Sequence, residues 1–389
     1  MTKPSWIPDE LGRLREEGLL RKRRCVIPLA DGWCEIDGKK RRNFAANDYL
    51  DLARDRRLIE AAREALERAG AGSTASALVT GRTDWHATLE ERLAGFEGQE
   101  AAVLFSSGYA TNVGTIAALT GSDDVVFSDR LNHASLVDGC RLSGAVVTVY
   151  QHDRLEELSR GLEQSGAYRS RLIVTDSLFS MDGHVAPLKA LCDLAEQFDA
   201  TLLVDEAHAT GIYGRRGRGV AEALNVEDRV AVRTGTLSKS LGSLGGFVAG
   251  SQALVDWLWN QARTHMFSTS LPPSACAAAT AAIEIVSSEP WRRERLFARS
   301  EQLRSELSEA GLTCVPHGAG PIVPVILNDP DRAVSVAERL ETAGFLVAAI
   351  RPPTVPEGTS RLRITLSCAH TPEDVSGLVT ALSRIVTST

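Results

Sequence analysis

The chain has 389 residues, of which 43% are hydrophobic and 24% are charged, and its formal net charge is −7. This composition is typical of a folded globular protein, not of a disordered or membrane-embedded one, and the length predicts two large lobes or one lobe with an appended domain. The negative charge argues against general affinity for nucleic acid.

The seven cysteines are scattered, and no two of them form a Cys-x-x-Cys pair. This usage is typical of reduced thiols in a cytoplasmic protein. Residues 1–18 alternate charged with apolar side chains and lack the apolar core of a signal peptide, and no run approaches the roughly 18 apolar residues that a membrane span needs. We therefore expect a cytoplasmic protein that does not bind membranes.

Residues 1–45 predict an N-terminal region made of one helix and short strands. Leucines among charged residues predict an amphipathic helix over 9–20, which ends in the basic run at 21–24. Such a run is usually a solvated helix end, but one of its arginines could meet an anionic acyl substrate or the phosphates of its carrier. The short strands are expected near 26–27, 33–36 and 42–45.

Residues 46–280 predict a large α/β domain. It starts with a helix over 56–69 and a second helix that Asp84 would cap. Short apolar strands then alternate with helices, which predicts a largely parallel sheet covered on both faces, with ligands beyond the carboxyl ends of its strands. The expected strands are 101–105, 125–128, 146–150, 172–175 and 201–204, and the expected helices are 108–119, 135–142, 155–162 and 188–198.

The rest of the chain predicts a strand within 242–250, a helix over 253–263 and mostly helical structure over 272–312. Residues 281–389 are expected to form a smaller C-terminal α/β domain. Its strands are predicted near 322–326, 346–350 and 362–365.

Two residues of the large domain, an aspartate at a strand end and a lysine in a loop, indicate a catalytic site. Asp205 follows the strand over 201–204, and Lys239 lies in a later loop between Ser238 and Ser240. Most lysines are solvated surface charges, but the short, uncharged neighbours of Lys239 favour desolvation of its amine. A carboxylate at a strand end together with such a lysine suits a pyridoxal phosphate (PLP) enzyme, because the lysine would hold the aldehyde and the carboxylate would keep the pyridine nitrogen protonated.

Other motifs fall at neighbouring strand ends. Gly108 and Tyr109 begin a helix whose amides could bind a phosphate, although any Ser- and Gly-rich turn between a strand and a helix looks similar. His133 could stack on a flat aromatic ligand or relay a proton, or could merely precede a helix capped by Ser135. Ser180 could donate to a phenolate oxygen, or could be an ordinary turn residue.

The sequence at 205–208, Asp-Glu-Ala-His, also spells the metal-binding box of some nucleic-acid helicases. That box needs a phosphate loop upstream with the pattern Gly-x-x-x-x-Gly-Lys-Ser/Thr, and the sequence contains none. We therefore disfavour an NTPase and expect no metal site.

Taken together, these segments resemble the α-oxoamine synthase family of PLP enzymes, which has the aspartate aminotransferase-like fold (fold type I). The resemblance runs from about Arg21 to the C-terminus. It is carried by AANDYL at 45–50, SSGYATN at 106–112, NHASLVDG at 132–139, DSLFSMDG at 176–183, VDEAHATG at 204–211, TLSKSLGSLGG at 236–246, FSTSLPP at 267–273 and RPPTVPEGTSRLRIT at 351–365.

The resemblance implies a PLP-dependent acyltransferase. The segment IRPPTVP at 350–356 favours the branch that condenses L-alanine with a pimeloyl thioester, carried on coenzyme A or on acyl carrier protein. A sibling synthase that uses glycine or serine with another acyl-CoA, a PLP aminotransferase and a non-enzymatic structural protein remain alternatives.

The resemblance also implies roles for individual residues. Catalysis would fall to Lys239 as the covalent lysine, Asp205 as the partner of the pyridine nitrogen, His133 stacked on the ring, and His208. Ser180 and His208 would address the phenolic oxygen, and the phosphate would be held by Gly108, Tyr109 and Thr236. Ser268 and Thr269 would reach the phosphate of a neighbouring subunit, which implies a homodimer. Substrate would be bound by Arg363 through a carboxylate, and also by His133, Arg21, Asn47 and Thr354.

Overall fold

The computed structural model describes residues 4–21, 23–312, 314, 318 and 320–387. Its helices are α1 (Ile7–Glu16), α2 (Arg56–Ala69), α3 (Asp84–Glu97), α4 (Gly108–Leu119), α5 (Ala134–Ser143), α6 (Leu155–Glu163), α7 (Leu188–Gln197), α8 (Val220–Ala223), α9 (Gln252–Gln261), α10 (Arg263–Met266), α11 (Pro273–Ser288), α12 (Trp291–Glu309), α13 (Pro330–Thr342) and α14 (Pro372–Thr387). Its strands are β1 (Ile27–Pro28), β2 (Trp33–Ile36), β3 (Lys39–Asn43), β4 (Ala101–Phe105), β5 (Val125–Asp129), β6 (Val146–Tyr150), β7 (Arg171–Asp176), β8 (Thr201–Asp205), β9 (Val232–Thr236), β10 (Gly246–Gly250), β11 (Ile322–Asn328), β12 (Phe345–Leu346), β13 (Ala348–Ile350) and β14 (Ser360–Thr365).

The chain divides into two compact units. Unit 1 contains the described residues within 1–47, 181–183 and 295–389, and unit 2 contains residues 48–180 and 184–294. This division differs from the three parts expected from the sequence, 1–45, 46–280 and 281–389. The N-terminal strands fall in the same unit as the C-terminal residues because β3 pairs in parallel with β12.

Unit 2 is built on a seven-stranded sheet in the order β4-β10-β9-β8-β7-β5-β6. The five strands from β9 to β6 in this order are parallel, whereas β10 runs antiparallel to both of its neighbours, β9 and β4. The expected largely parallel sheet is therefore confirmed. Its core includes Val103, Ile116, Val174, Leu203 and Val248, all of them buried.

Several boundaries differ from the sequence-based expectations. Helix α1 ends at Glu16 instead of residue 20, because the amides of Leu19 and Leu20 turn back to the carbonyl of Leu14. Helix α3 is capped by Thr83 and not by Asp84, which is its first residue. Strand β9 was not predicted, because its sequence, VRTGT, has no apolar run.

Unit 1 contains two smaller sheets, β1-β2-β3-β12 and β11-β14-β13. The single strand expected over 346–350 is therefore two strands that belong to different sheets. A buried contact in unit 1 joins residues from the two ends of the chain. The ring of Phe44 stacks on His370 with centroids 4.0 Å apart, and His370 Nδ1 accepts the amide of Ser367 at 3.0 Å.

None of the helices in the described part of the chain combines the length and apolar character needed to cross a membrane.

His370 makes the stability of the protein sensitive to acid. Burial, together with the charge of Arg42, lowers its pKa to about 3, whereas an unfolded histidine titrates near 6.5. The folded state therefore holds His370 neutral, and its contribution to stability is complete above pH 6.5 and is lost as the pH falls towards 3. Between pH 6.5 and 5.0 the loss approaches about 2 kcal/mol, at ~1.4 kcal/mol per pH unit.

The unfolding free energy of the parent protein should be lower at pH 5.0 than at pH 6.5. We predict that His370→Gln makes this difference smaller by about 2 kcal/mol, because glutamine does not titrate. Denaturant titrations of both proteins at both pH values measure it. An equal acid sensitivity of variant and parent would contradict the assignment.

Candidate active site

The carboxylate of Asp205 is fixed at the carboxyl end of β8. It is buried, with 4% of its surface exposed. One oxygen, Oδ1, accepts the amide of Ala207 at 2.8 Å, and the other, Oδ2, accepts the side-chain amide of Asn112 at 2.6 Å. A buried charged group is tolerated when it is hydrogen-bonded in this way.

A second carboxyl group, Asp176, lies beside Asp205 because the two residues are paired in the register of β7 and β8. Burial raises the pKa of Asp176 well above its usual range, and the charge of Asp205 adds to this effect. Asp176 Oδ2 accepts the backbone amide of His133 at 2.7 Å. Asp176 therefore holds the start of α5 beside Asp205.

His133 is the N-cap residue of α5, and its ring nitrogen Nδ1 accepts the amide of Ser135 at 3.3 Å. The cap is therefore His133 itself, and not Ser135 as one interpretation of the sequence held. Burial lowers the pKa of His133, while the charge of Asp205 raises it and that of Lys239 lowers it. Hydrogen bonds also connect Asp205 to His133, because Asn112 donates to Asp205 and to Ser135, whose hydroxyl lies 2.7 Å from His133 Nδ1.

Lys239 lies in a tight loop between β9 and β10. The amide of Leu237 donates to Gly245 O at 3.0 Å, and the amide of Gly242 donates to Lys239 O at 3.0 Å. Gly242 has a φ of +60°, and a Cβ atom there would lie 2.5 Å from the amide nitrogen of Ala53. The loop therefore depends on glycine at this position, and it holds Lys239 half-buried.

The N-terminus of α4 forms a cradle suited to an anion. Gly108 and Tyr109 supply its first amides, which have no preceding helical carbonyl to bind. A Cβ atom on Gly108 would lie 3.3 Å from the side chain of Thr236, and a Cβ atom on Gly246 would lie 2.8 Å from Gly108 Cα. The hydroxyl of Thr236 is fixed by donating to Gly245 O at 2.9 Å. The predicted phosphate-binding residues Gly108, Tyr109 and Thr236 are thus brought together.

The remaining predicted cofactor residues occupy three further places in unit 2. His208 is buried, with Nδ1 2.6 Å from the hydroxyl of Tyr49. Ser180 lies in the turn that follows β7 and is half-buried. Thr269 is exposed and forms an isolated bridge with Ser76, next to Ser268.

Glu206, the second residue of the helicase-like box, has a structural role. Its carboxylate accepts the hydroxyl of Ser177 at 2.5 Å and the amides of Val220 and Ala221 at 3.0 and 2.9 Å, at the start of α8. Within the described residues, no group of three His, Cys, Asp or Glu side chains is arranged to hold a metal ion.

The predicted substrate-binding residues other than His133 lie in unit 1 and form two pairs. Both terminal nitrogens of Arg363 donate to Asn47 Oδ1 at 3.1 Å, and Arg363 is 6% exposed. Arg21 lies 3.5 Å from the hydroxyl of Thr354. Of the basic run at 21–24, Lys22 lies outside the described residues, and Arg24 pairs with Glu341 at 2.6 Å.

Sequence reasoning missed Asn112, Asp176, Thr234 and Tyr49 as parts of the site. Asn112 was detectable in principle, since it is an amide side chain one turn inside a helix that is otherwise made of small and apolar residues. Asp176 and Thr234 carried no comparable signal, because their importance arises from the pairing of β7, β8 and β9.

These residues fit PLP. The cofactor needs an amine for its aldehyde, a carboxylate for its pyridine nitrogen and hydrogen-bond donors for its phosphate. Lys239 offers the amine, and Asp205 offers a buried carboxylate. The start of α4 offers free amides where glycines at 108 and 246 leave no room for further side-chain atoms.

The comparisons with known proteins agree with this class of site. The family model described as aminotransferase class I and II matches residues 39–382, and the chain belongs to this family. At 49% identity over 98% of this chain and 95% of the relative, it is similar to an 8-amino-7-oxononanoate synthase of Anaeromyxobacter dehalogenans.

Two solved structures show the same fold. A serine palmitoyltransferase variant from S. paucimobilis, with a bound PLP-myriocin aldimine, has a TM-score of 0.93 at 31% identity and covers 99% of this chain and 97% of that one. An 8-amino-7-oxononanoate synthase from Francisella tularensis has a TM-score of 0.78 at 26% identity, over 89% of this chain and 98% of that one. The predicted family and fold type I are therefore confirmed.

We predict that Gly246→Ala weakens PLP binding at least about tenfold, because the added methyl group would push the start of α4 away from Thr236. Spectroscopic titration of the cofactor-free protein with PLP measures the affinity. Gly121→Ala is the matched control, because a Cβ atom at Gly121 meets nothing within 4 Å. Equal weakening of PLP binding by both substitutions, or no weakening by Gly246→Ala, would contradict the prediction that the start of α4 binds the phosphate.

Proposed function

We propose that the protein is a PLP-dependent acyltransferase that condenses L-alanine with a pimeloyl thioester and releases 8-amino-7-oxononanoate, carbon dioxide and the free thiol carrier, a step of biotin biosynthesis. The observation that carries this proposal is the buried Asp205 carboxylate, which hydrogen bonds connect to His133 and whose strand pairs with the strand that precedes the Lys239 loop. It is supported by the 49% identity of the chain to an 8-amino-7-oxononanoate synthase over almost its full length. The cofactor is PLP, held as described above.

When bound, PLP would supply an electron sink that stabilises negative charge at the α-carbon of the amino acid. Asp205 would keep a proton on the pyridine nitrogen, which requires the buried carboxylate that Asn112 and Ala207 hold in place. Lys239 Nζ would remove the α-proton of alanine and later return a proton to the product. His133 would orient the substrate carboxylate and polarise the thioester carbonyl.

Arg363 would bind the carboxylate of the amino acid. A guanidinium suits this task because two of its N–H groups can meet the two carboxylate oxygens. Asn47 Oδ1 accepts from both terminal nitrogens of Arg363 and so would fix the plane of the group before substrate arrives. Arg21 and Thr354 would contact the acyl substrate.

We further propose a homodimer in which Ser268 and Thr269 of one subunit approach the phosphate site of the other. Two observations support it. Thr269 is exposed at the end of a segment that Ser76 and Ala75 hold by backbone pairing. Phe267, two residues earlier, is 69% exposed, so both side chains are accessible to a second subunit.

Thiol release by the PLP-loaded protein tests the substrate assignment. We expect release with L-alanine plus pimeloyl-CoA, and much slower release with glycine plus acetyl-CoA or with L-serine plus palmitoyl-CoA, the latter pair being suggested by the serine palmitoyltransferase fold match. Lys239→Ala, as the control for chemistry at this site, should abolish release. Release only with a glycine or serine pair would move the protein to a sibling synthase, and full activity of Lys239→Ala would end the mechanism.

A further inference from the structure

We propose that Asn112 is a positioning residue that connects Asp205 to His133 through Ser135 and thereby fixes His133 as the tautomer with its proton on Nε2. The inference rests on the proposed function for its chemical meaning. The hydrogen bonds that carry it lie wholly within unit 2 and link four elements, α4, α5, β8 and β9.

The chain of contacts is short, and the side chains that connect Asp205 to His133 are buried. Asn112 Nδ2 lies 2.6 Å from Asp205 Oδ2 and 2.8 Å from Ser135 Oγ, and Asn112 Oδ1 lies 2.8 Å from Thr234 Oγ1. Ser135 Oγ lies 2.7 Å from His133 Nδ1. Asn112, Ser135 and Thr234 are at most 2% exposed, so water does not compete for these groups.

The direction of each hydrogen bond follows from the chemistry of its ends. A carboxylate only accepts, so the NH₂ group of Asn112 faces Asp205 and its carbonyl oxygen accepts from the hydroxyl of Thr234. The second N–H of Asn112 then donates to Ser135 Oγ. Because His133 Nδ1 accepts the backbone amide of Ser135, it carries no proton, and the hydroxyl of Ser135 is therefore the donor in its contact with that nitrogen.

Two donors therefore converge on His133 Nδ1: the hydroxyl of Ser135 at 2.7 Å and the backbone amide of Ser135 at 3.3 Å. A ring nitrogen that accepts from two donors carries no proton, so the proton of the neutral imidazole lies on Nε2. Burial independently favours the neutral ring by lowering the pKa of His133. The amide of His133 is held separately by Asp176, which fixes the position of the residue but not its tautomer.

This arrangement gives His133 a defined chemical role. Its Nε2–H is a hydrogen-bond donor, suited to a thioester carbonyl or a carboxylate, and the ring has no free lone pair to act as a base. Proton removal is thereby left to Lys239. The side-chain amide of Asn112 donates to Asp205 and, through Ser135, keeps the proton of His133 on Nε2. A change at Asn112 therefore affects both Asp205 and His133.

The test is the protonation state of each His133 ring nitrogen, read by long-range ¹H–¹⁵N correlation NMR on PLP-loaded protein labelled with ¹⁵N-histidine at pH 7.5. The His133 signals are assigned by their loss in His133→Gln. We expect a protonated Nε2 and an unprotonated Nδ1 in the parent protein. No acyl donor is present, so this result is independent of which thioester the enzyme uses.

Two variants test the connection itself. Asn112→Ala leaves Ser135 Oγ free to accept from the ring, and Ser135→Ala removes the hydroxyl donor, so each should raise the ratio of the Nδ1–H to the Nε2–H tautomer about fivefold, the effect of losing one ordinary hydrogen bond. Thr115→Val is the matched control. Thr115 lies on α4 one turn after Asn112, is fully buried and has a hydroxyl with no partner among the described residues, so this variant should keep the parent tautomer.

A parent protein with Nδ1 protonated would overturn the proposal. So would folded Asn112→Ala and Ser135→Ala variants with an unchanged tautomer ratio, and so would an equal change in Thr115→Val. If Asn112→Ala fails to fold, the parent spectrum and Ser135→Ala still decide. Thiol release that fails with alanine and pimeloyl-CoA while the tautomer is as expected would overturn the proposed function and leave this inference intact.

Discussion

The buried carboxylate of Asp205 is the constraint on which the rest of the site depends. A charged group that is 4% exposed is costly unless donors surround it. The chain supplies them from two directions, the amide of Ala207 just after β8 and the side chain of Asn112 from α4. Each donor also connects a segment of the proposed site to the strand end, because Ala207 precedes His208 and α4 begins with Gly108, the predicted phosphate-binding glycine.

The topology of the sheet brings the other groups to the same place. Parallel strands β5, β7, β8 and β9 end at one edge of the sheet. Asp205, the last residue of β8, therefore lies at the same edge as the neighbouring loops that contain His133, Ser180 and Lys239. The antiparallel strand β10 has a separate effect. It turns the chain back after Lys239 and lays Gly246 against the start of α4, which joins the lysine loop to the anion cradle.

Much of this was predictable from the sequence. The apolar strands and their helices show clear periodicity, and β4, β6 and α4 begin and end at the expected residues, because short apolar runs bounded by Gly, Ser and Asp have few alternatives. The roles proposed for Lys239, Asp205 and His133 rest on their neighbours in the sequence and on the family resemblance.

The remainder could not be predicted, because it depends on contacts between residues distant in sequence. Strand β9 is recognised only by its pairing with β8 and β10. The raised pKa of Asp176 arises from burial and from the charge of Asp205, 29 residues later in the chain. Likewise, no sequence pattern states that Asn112, Ser135 and Thr234 meet, since their contact requires α4, α5 and β9 to be packed together.

The most direct test of this account is the exchange of the α-proton of L-alanine in D₂O, without acyl donor, for the parent protein and for Asp205→Asn, both loaded with PLP as judged by absorbance. The account predicts that the variant retains the cofactor but exchanges at least about a hundredfold more slowly, because an amide cannot keep the pyridine nitrogen protonated. Exchange in Asp205→Asn at close to the parent rate would contradict it.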